Sequence, residues 1–187
     1  IFNNAYMMTG SHHLYNYLPT KHEKWLTMIK QEIIDSGLIV DILNAKTMED
    51  VFRLLQGCSF LGSFLAYQYT IDMNYSPYIN FSENDFVKAG IGAIRGIKKC
   101  FLCYGNKCED AIWYVKEHFN DLQKRYGYTS FHPLLGHEPT LIDLQNCFCE
   151  TDKYLRAKMP ELRIGNVRIK QKYMPHTDPI QFFFPPK

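Results

Sequence analysis

A glycine-containing corner between two helix-forming stretches is the feature that most constrains the fold of this chain. Ser82 can cap a short helix over Glu83–Lys88, and a second helix is predicted over Ile94–Phe101. The intervening segment, Ala89–Ala93, has glycine on both sides of Ile91, which permits a tight hairpin. The pattern predicts a helix–hairpin–helix within a mainly α domain.

The same corner has the residues to bind phosphate. Gly90 and Gly92 would leave backbone N–H groups open at the amino end of the second helix, where the helix dipole also favours an anion. Arg95, Lys98 and Lys99 follow within two turns and can add charge-assisted contacts. The alternative is a corner that needs glycine only for close packing, because a bare Gly-x-Gly is weak evidence for phosphate binding.

Helical periodicity recurs along most of the remaining chain. Apolar residues at helical spacing predict further helices over Thr20–Ser36, Met48–Gln56, Ser59–Met73, Cys108–Arg125 and Pro139–Lys158. Alternation over Arg163–Tyr173 predicts a short strand or an extended arm. We expect one domain over residues 1–187, with a core at 1–175. The apolar, proline-rich tail at 176–187 includes Phe182–Phe184 and is expected to pack on the domain or on a protein partner.

The composition is not that of a strongly cationic nucleic-acid-binding protein. The chain has 187 residues and a net charge of +2, so any phosphate-binding surface must be local. No apolar run approaches the roughly 20 residues that span a bilayer, and we expect no membrane partner. Six cysteines in a chain of this length indicate reduced thiols rather than a disulfide scaffold, and hence an intracellular location in the cytoplasm or nucleus.

Polar residues on the predicted helix at Ser59–Met73 form a candidate base pocket. Gln68 and Asp72 are four residues apart and share one face of an otherwise apolar helix. The Gln68 amide could form hydrogen bonds with the edge of a base, beside the Asp72 carboxylate and Tyr67. This combination of groups is typical of a site that binds a nucleobase. The alternative is that Asp72 caps the following loop and Gln68 satisfies backbone groups.

A second polar set lies on the last long helix. Glu150, Lys153 and Tyr154 fall on neighbouring turns of one face, whereas Asp152 and Arg156 can pair four residues apart. A solvated helix with a salt bridge would show the same pattern.

Cysteine spacing gives a partial metal-binding pattern. Cys100, Cys103 and Cys108 resemble half of a zinc or iron–sulfur site, which Cys147 and Cys149 could complete. Successive residues of an α-helix are rotated by about 100°, however, so the two cysteines of a Cys-x-Cys helix are about 200° apart around the axis and cannot easily bind one metal ion. We therefore expect free thiols, no metal and no cofactor, and a metal-stabilised domain would require at least three of these sulfurs to converge.

Several blocks in one order carry a resemblance to a known family. They are Ile1-Phe2-Asn3-Asn4-Ala5-Tyr6, Phe60–Gln68 with Asp72 and Tyr75, Ala89–Ala93 with Gly96 and Ile97, and Cys149-Glu150-x-Asp152-Lys153-Tyr154-x-Arg156. The chain resembles, over about Ile1–Tyr173, the DNA-base hypermodification family. That family comprises the alpha-glutamyl/putrescinyl thymine pyrophosphorylases and the helical domain of 5-hydroxymethyluracil DNA kinase, and is related to helix–hairpin–helix DNA glycosylases.

The resemblance implies a DNA-glycosylase-like helical fold that grips duplex DNA and handles a flipped, modified thymine-type base. Matching the blocks carries over Gln68, Asp72, Gly90, Gly92, Asp152 and Lys153 as site candidates. In the family, an amine or amino acid displaces pyrophosphate from an activated 5-hydroxymethyluracil, whereas the glycosylase relatives cleave the base–sugar bond. The glycosylases place an Asp about 20 residues after the hairpin, which makes Asp110 a rival to Asp72 for the catalytic role.

This sequence also departs from the family pattern. The hairpin reads Gly-Ile-Gly instead of Gly-Pro-Gly, and the first block continues Tyr6-Met7-Met8-Thr9 instead of Tyr-Arg with a nearby Asp. Two hypotheses follow. The first is an enzyme on double-stranded DNA with a modified thymine, acting by 5-substitution or glycosidic cleavage; the second is a catalytically degenerate module that binds nucleic acid or a protein.

Overall fold

The computed structural model describes residues 12–128, 137–162, 164 and 179, and these residues are mainly helical. The helices are α1 (Lys21–Met28), α2 (Leu38–Asn44), α3 (Met48–Gln56), α4 (Ser63–Asn74), α5 (Ile91–Cys100), α6 (Glu109–Glu117), α7 (Phe119–Arg125) and α8 (Leu141–Lys158). A π-helical stretch, Ile29–Asp35, continues α1, and short 3-10 turns lie at His13–Tyr15 and Pro160–Leu162. None of the described residues forms a strand, and the mainly α fold is confirmed.

Two predictions concern parts of the chain outside the described residues. They are the short strand or arm at 163–173 and the apolar tail at 176–187, of which only 164 and 179 are described. Within the described ranges, no helix combines the length and the apolar character needed to cross a membrane.

Local capping fixes where three of the helices begin. In each, the hydroxyl of an N-cap threonine accepts the N–H of the third helical residue, whose carboxylate accepts the N–H of the threonine. The pairs are Thr20 with Glu23, Thr47 with Asp50, and Thr140 with Asp143. Such a cap stabilises a helix by about 1 kcal/mol and is readable from sequence because it involves residues only three positions apart.

Two chain breaks differ from the sequence-based expectation. Gly37 adopts a left-handed conformation with a φ of 82°, as expected for a helix stop, but α2 begins directly after it and was not predicted. The helix predicted over Cys108–Arg125 is interrupted at His118, where the backbone leaves the helical region between α6 and α7.

The helix predicted over Glu83–Lys88 is wrong. The N–H of Asp85 is bonded to the Ser82 carbonyl at 3.0 Å, which closes a turn, and residues 86–90 are not helical. Val87 and Ala89 are both buried, and this alternating burial favours an extended chain over a helix. A helix would also break the bond from the Ala89 N–H to the Glu109 carboxylate. The chain therefore enters α5 from an extended segment, and a relation to helix–hairpin–helix proteins stays a prediction.

Two packed helix pairs position the region around Gly90. α3 packs along α4, and the long helix α8 packs along α5. Ala66, Tyr67 and Ile71 of α4 belong to the buried core, as do Ala93 and Ile97 of α5. The amino end of α5 therefore starts at the edge of a core that both pairs share.

Candidate nucleic-acid interface at the amino end of α5

The amino end of α5 carries no side-chain cap. Gly90 is the N-cap residue, its backbone is extended with a φ of −75° and a ψ of 170°, and no side chain bonds to the exposed turn. The Gly90 carbonyl accepts the N–H of Ile94 at 2.9 Å, which is the first bond of the helix. The N–H groups of the residues between them have no partner within the helix. Of these residues Ile91 is exposed, Gly92 is half-buried and Ala93 is buried, so the N–H groups of Ile91 and Gly92, together with the helix dipole, can hold an anion.

Glycine in α5 is required where the helix crosses α8. A Cβ atom added at Gly96 would lie 2.0 Å from the Phe148 carbonyl oxygen, and one added at Gly92 would lie 2.5 Å from the Sγ of Cys149. Both distances are far shorter than van der Waals contact. The two helices meet backbone to backbone at Gly96, whereas Gly92 packs against the Cys149 side chain. Close packing against α8 therefore explains why residue 92 is a glycine. The N–H of Gly92 still lies in the first turn of α5.

A buried ion cluster ties the other end of α5 to α8. The Nζ of Lys99 lies 2.6 Å from one carboxylate oxygen of Asp152, and the Nε of Arg156 lies 3.1 Å from the other. The side chains of Lys99 and Asp152 are each 2% exposed. The sequence predicts phosphate binding for Lys99 and a catalytic role for Asp152. The structure brings the two side chains together in a buried ion pair that links α5 to α8, not on an open surface.

Three basic residues predicted for the site have different surroundings. Arg95 is half-buried in the second turn of α5, and Lys98 is exposed in its last turn, about 12 Å along the helix axis from Gly90. Lys153 is exposed on α8, where its Nζ lies 2.5 Å from the Glu150 carboxylate. Arg95 is therefore the basic residue of the predicted phosphate-binding set nearest to the amino end of α5, and Lys98 is placed for a more distant phosphate.

Glu109, which sequence reasoning did not select, holds the segment that leads into α5. One of its carboxylate oxygens accepts the Ala89 N–H at 3.0 Å and lies 2.9 Å from the Lys88 Nζ. Burial raises the pKa of Glu109, but the bonds from Lys88 and from the backbone outweigh burial and leave the pKa below its ordinary value. The spacing after the glycine corner pointed to Asp110, the next residue. Spacing alone cannot distinguish two adjacent carboxylates, so it could not select Glu109.

Replacing Glu109 with Gln should lower stability in a pH-dependent way. Because the folded-state pKa is lowered, the carboxylate stabilises the fold fully above its ordinary pKa of 4.5 and loses this effect as the pH falls through the folded value. Gln can still accept the Ala89 N–H but cannot pair with Lys88. We expect a loss of about 1–2 kcal/mol at pH 7 and a smaller loss at pH 3.5, measured by urea unfolding.

The exposed Glu117 of the same helix provides the control for that experiment. Glu117→Gln should unfold like the unmodified protein at both pH values. A Glu109→Gln deficit of equal size at pH 7 and pH 3.5 would contradict the assigned ion pair.

Asp110, the rival for the catalytic role, lies in the first turn of α6 and bonds to the loop before it. One of its carboxylate oxygens accepts the backbone N–H groups of Asn106 and Lys107 at 2.9 Å and 3.1 Å. Gly105, with a φ of 83°, packs against the same side chain. Asp110 therefore stabilises the loop that precedes α6.

The predicted base-contacting residues lie on different sides of α4. Tyr67 is 2% exposed and packs against Phe52 and Phe86, and burial raises the pKa of its hydroxyl. Gln68 is half-buried, and Asp72 is exposed one turn later. Of these residues, only Asp72 is exposed.

Surface depressions occur on both sides of the segment that leads into α5. One of about 680 Å³ lies between the end of α4 and the start of α8, where Tyr75, Phe81 and Asn84 contribute to its wall. Another, of about 350 Å³, includes Lys88 and Glu109. Among the described residues, Gln68 and Asp72 line neither depression, so neither encloses the predicted base pocket.

The cysteines do not converge in the described part of the chain. All six are free thiols, and burial raises the pKa of Cys100, Cys108, Cys147 and Cys149. No group of three or more His, Cys, Asp or Glu side chains is placed to hold a metal ion among the described residues. The convergence that a metal-stabilised domain would require is therefore not found there.

Comparison with known proteins connects this geometry to a family. The family model described as "5-hmdU DNA kinase, helical domain" matches residues 1–164. No curated protein and no solved structure matches the chain. The matched range includes α1 to α8 and every sequence block on which the resemblance was based.

Proposed function

This chain belongs to the 5-hmdU DNA kinase helical-domain family, and we propose that it binds duplex DNA through the amino end of α5, beside a modified thymine-type base. The family description connects the chain to DNA modification and to DNA as a partner. The finer assignments, which are the modified base, its flipping and the reaction, belong to the proposal. Phosphate binding at α5 supplies the grip that any of these reactions needs.

The observation that carries the proposal is the uncapped, glycine-led start of α5. Backbone N–H groups at a helix start bind phosphate without a dedicated side chain, and the dipole adds to the attraction. Arg95 lies five residues after Gly90 and can contact the same phosphate, and Lys98, in the last turn of α5, can contact a neighbouring one. A local site of this kind is compatible with a net charge of only +2.

Asp72 is the carboxylate that the enzyme hypothesis requires. Asp72 is exposed on α4, and the half-buried Gln68 lies one turn before it. In this position Asp72 is accessible to a base that has flipped out of the DNA duplex. In this role Asp72 acts as general base or stabilises positive charge, during 5-substitution or glycosidic cleavage.

A non-catalytic binding module is the second candidate. It is favoured by the surroundings of Asp110 and Asp152, the other two carboxylates predicted to be catalytic. Asp110 caps a turn and Asp152 is buried between two cations, so both have structural partners. Nucleoside analysis of duplexes containing thymine or 5-hydroxymethyluracil, after incubation with the protein, separates the two candidates. A changed base that depends on Asp72 supports the enzyme, and unchanged bases on a tightly bound duplex support the module.

Replacing Ile91 with Pro should weaken DNA binding while leaving α5 folded. Ile91 is the first residue of α5, where Pro fits because its missing N–H has no partner inside the helix. The ψ of 170° at Gly90 also suits a residue that precedes Pro. Loss of one donor to a phosphate should cost about 1 kcal/mol, or roughly fivefold in Kd, measured by fluorescence anisotropy on a labelled duplex.

Ile91→Ala is the matched control, because it removes the same exposed side chain but keeps the N–H. It should bind more tightly than Ile91→Pro. Arg95→Gln should instead reduce the salt dependence of binding by about one counterion, whereas Lys21→Gln on α1 should not. Equal binding by Ile91→Pro and Ile91→Ala, or no duplex bound at low salt, would overturn the proposed grip.

A further inference from the structure

An exposed aromatic ring lies directly against the start of α5. Phe64 is in the first turn of α4 and is 58% exposed. Its ring atom Cδ2 lies 3.2 Å from the point that a Cβ at Gly90 would occupy, so the ring edge rests on the Gly90 backbone. An aromatic face beside open phosphate-binding N–H groups is an arrangement that suits a nucleotide, which presents a flat base next to its phosphate.

A buried amide faces the same point from α8. Gln145 is 3% exposed, and its Nε2 lies 3.8 Å from the position of that added Cβ at Gly90. Its Oε1 is buried and has no hydrogen-bond partner among the described residues. Buried polar atoms are nearly always paired, and an unpaired one is costly. This amide therefore has hydrogen-bonding capacity that the described fold does not use.

We propose that Phe64, Gly90 and Gln145 form a nucleotide subsite for an unpaired base of DNA. The ring of Phe64 stacks on the base, the α5 amino end holds the adjoining phosphate, and the Gln145 amide bonds the nucleotide at the Gly90 corner. An amide can offer either its oxygen or its nitrogen after rotation about the last side-chain bond. This subsite rests on the proposed phosphate grip and adds to it a preference for bases outside the duplex stack.

The first test compares a fully paired duplex with the same duplex carrying a single-nucleotide bulge, by fluorescence anisotropy. The unmodified protein should bind the bulged duplex roughly tenfold more tightly, as expected for one base stacked on an aromatic ring. Phe64→Leu keeps an apolar side chain but removes the ring, so it should lose this preference and retain binding to the paired duplex. Phe64→Tyr restores a ring and should restore the preference.

Gln145→Met separates a ligand-binding amide from a structural one. Met has nearly the same shape but needs no partner, so it should keep or raise the melting temperature while reducing the preference for the bulged duplex. If the amide instead supports the fold, the melting temperature falls and the preference is unchanged.

The outcomes distinguish the two proposals. If the paired duplex binds in a manner sensitive to Ile91→Pro but the bulge adds nothing, the subsite is wrong and the phosphate grip stands. An equal preference in Phe64→Leu, or no rescue by Phe64→Tyr, also overturns the subsite. If no duplex binds, both proposals fall.

Discussion

Gly96→Ala is expected to destabilise the protein by about 3 kcal/mol or more, since overpacking of a core costs about 1–3 kcal/mol and here the obstacle is backbone. The new Cβ would lie 2.0 Å from the Phe148 carbonyl oxygen, which cannot rotate away as a side chain can. The α5 and α8 helices would have to separate. For a chain of this size the melting temperature should fall by roughly 6–12 °C, measured by circular dichroism at 222 nm.

Gly62→Ala provides the matched control. Gly62 precedes α4 with a φ of −67°, and a Cβ there would meet no atom within 4 Å. Gly92→Ala should fall between the two, because its obstacle, 2.5 Å away, is the Sγ of Cys149, which can turn aside. Equal melting temperatures for Gly96→Ala and Gly62→Ala would show that α5 and α8 are not packed backbone to backbone.

Asp152→Asn should be about as damaging, with an expected loss of about 3–5 kcal/mol. Asp152 balances Lys99 and Arg156 inside the protein, and an amide would leave both cations buried without a counter-charge. Urea unfolding at pH 7 gives the free energy of unfolding. Combining Asp152→Asn with Lys99→Met should recover part of the loss, because one of the unbalanced charges is then removed.

Glu150→Gln is the control on the same helix. Its partner Lys153 is 54% exposed, and such surface pairs contribute about 0–1 kcal/mol. If Asp152→Asn unfolded like Glu150→Gln but abolished a change in the DNA base, Asp152 would belong to the chemistry and not to the link between α5 and α8.

Features that depend on a few neighbouring residues could be predicted from the sequence. The start of α3 follows from Thr47 and Asp50, which complete a capping box within one turn. The end of the first long helix follows from Gly37, whose left-handed conformation is easy for glycine. The mainly α fold and the family resemblance rest on many such local patterns taken together.

Features that depend on distant contacts could not be predicted. The segment 83–88 has residues that a helix would accept, but burial of Val87 and Ala89 and the bond to Glu109 favour an extended chain. The positions of Lys99 and Asp152 differ by 53 residues, so their pairing left no trace in the local pattern. The roles of the site residues stay predictions. Asp72 is exposed, and the start of α5 has no side-chain cap.

The backbone contact between α5 and α8 also determines where the chain can change in length. Lengthening a loop that packs against no other element adds little beyond loop entropy, about 0.6 kcal/mol for each doubling. A single residue inserted between Gly92 and Gly96 would instead rotate one glycine about 100° away from α8. Related chains should therefore vary in the length of such loops and keep a fixed four-residue spacing between the two glycines inside α5.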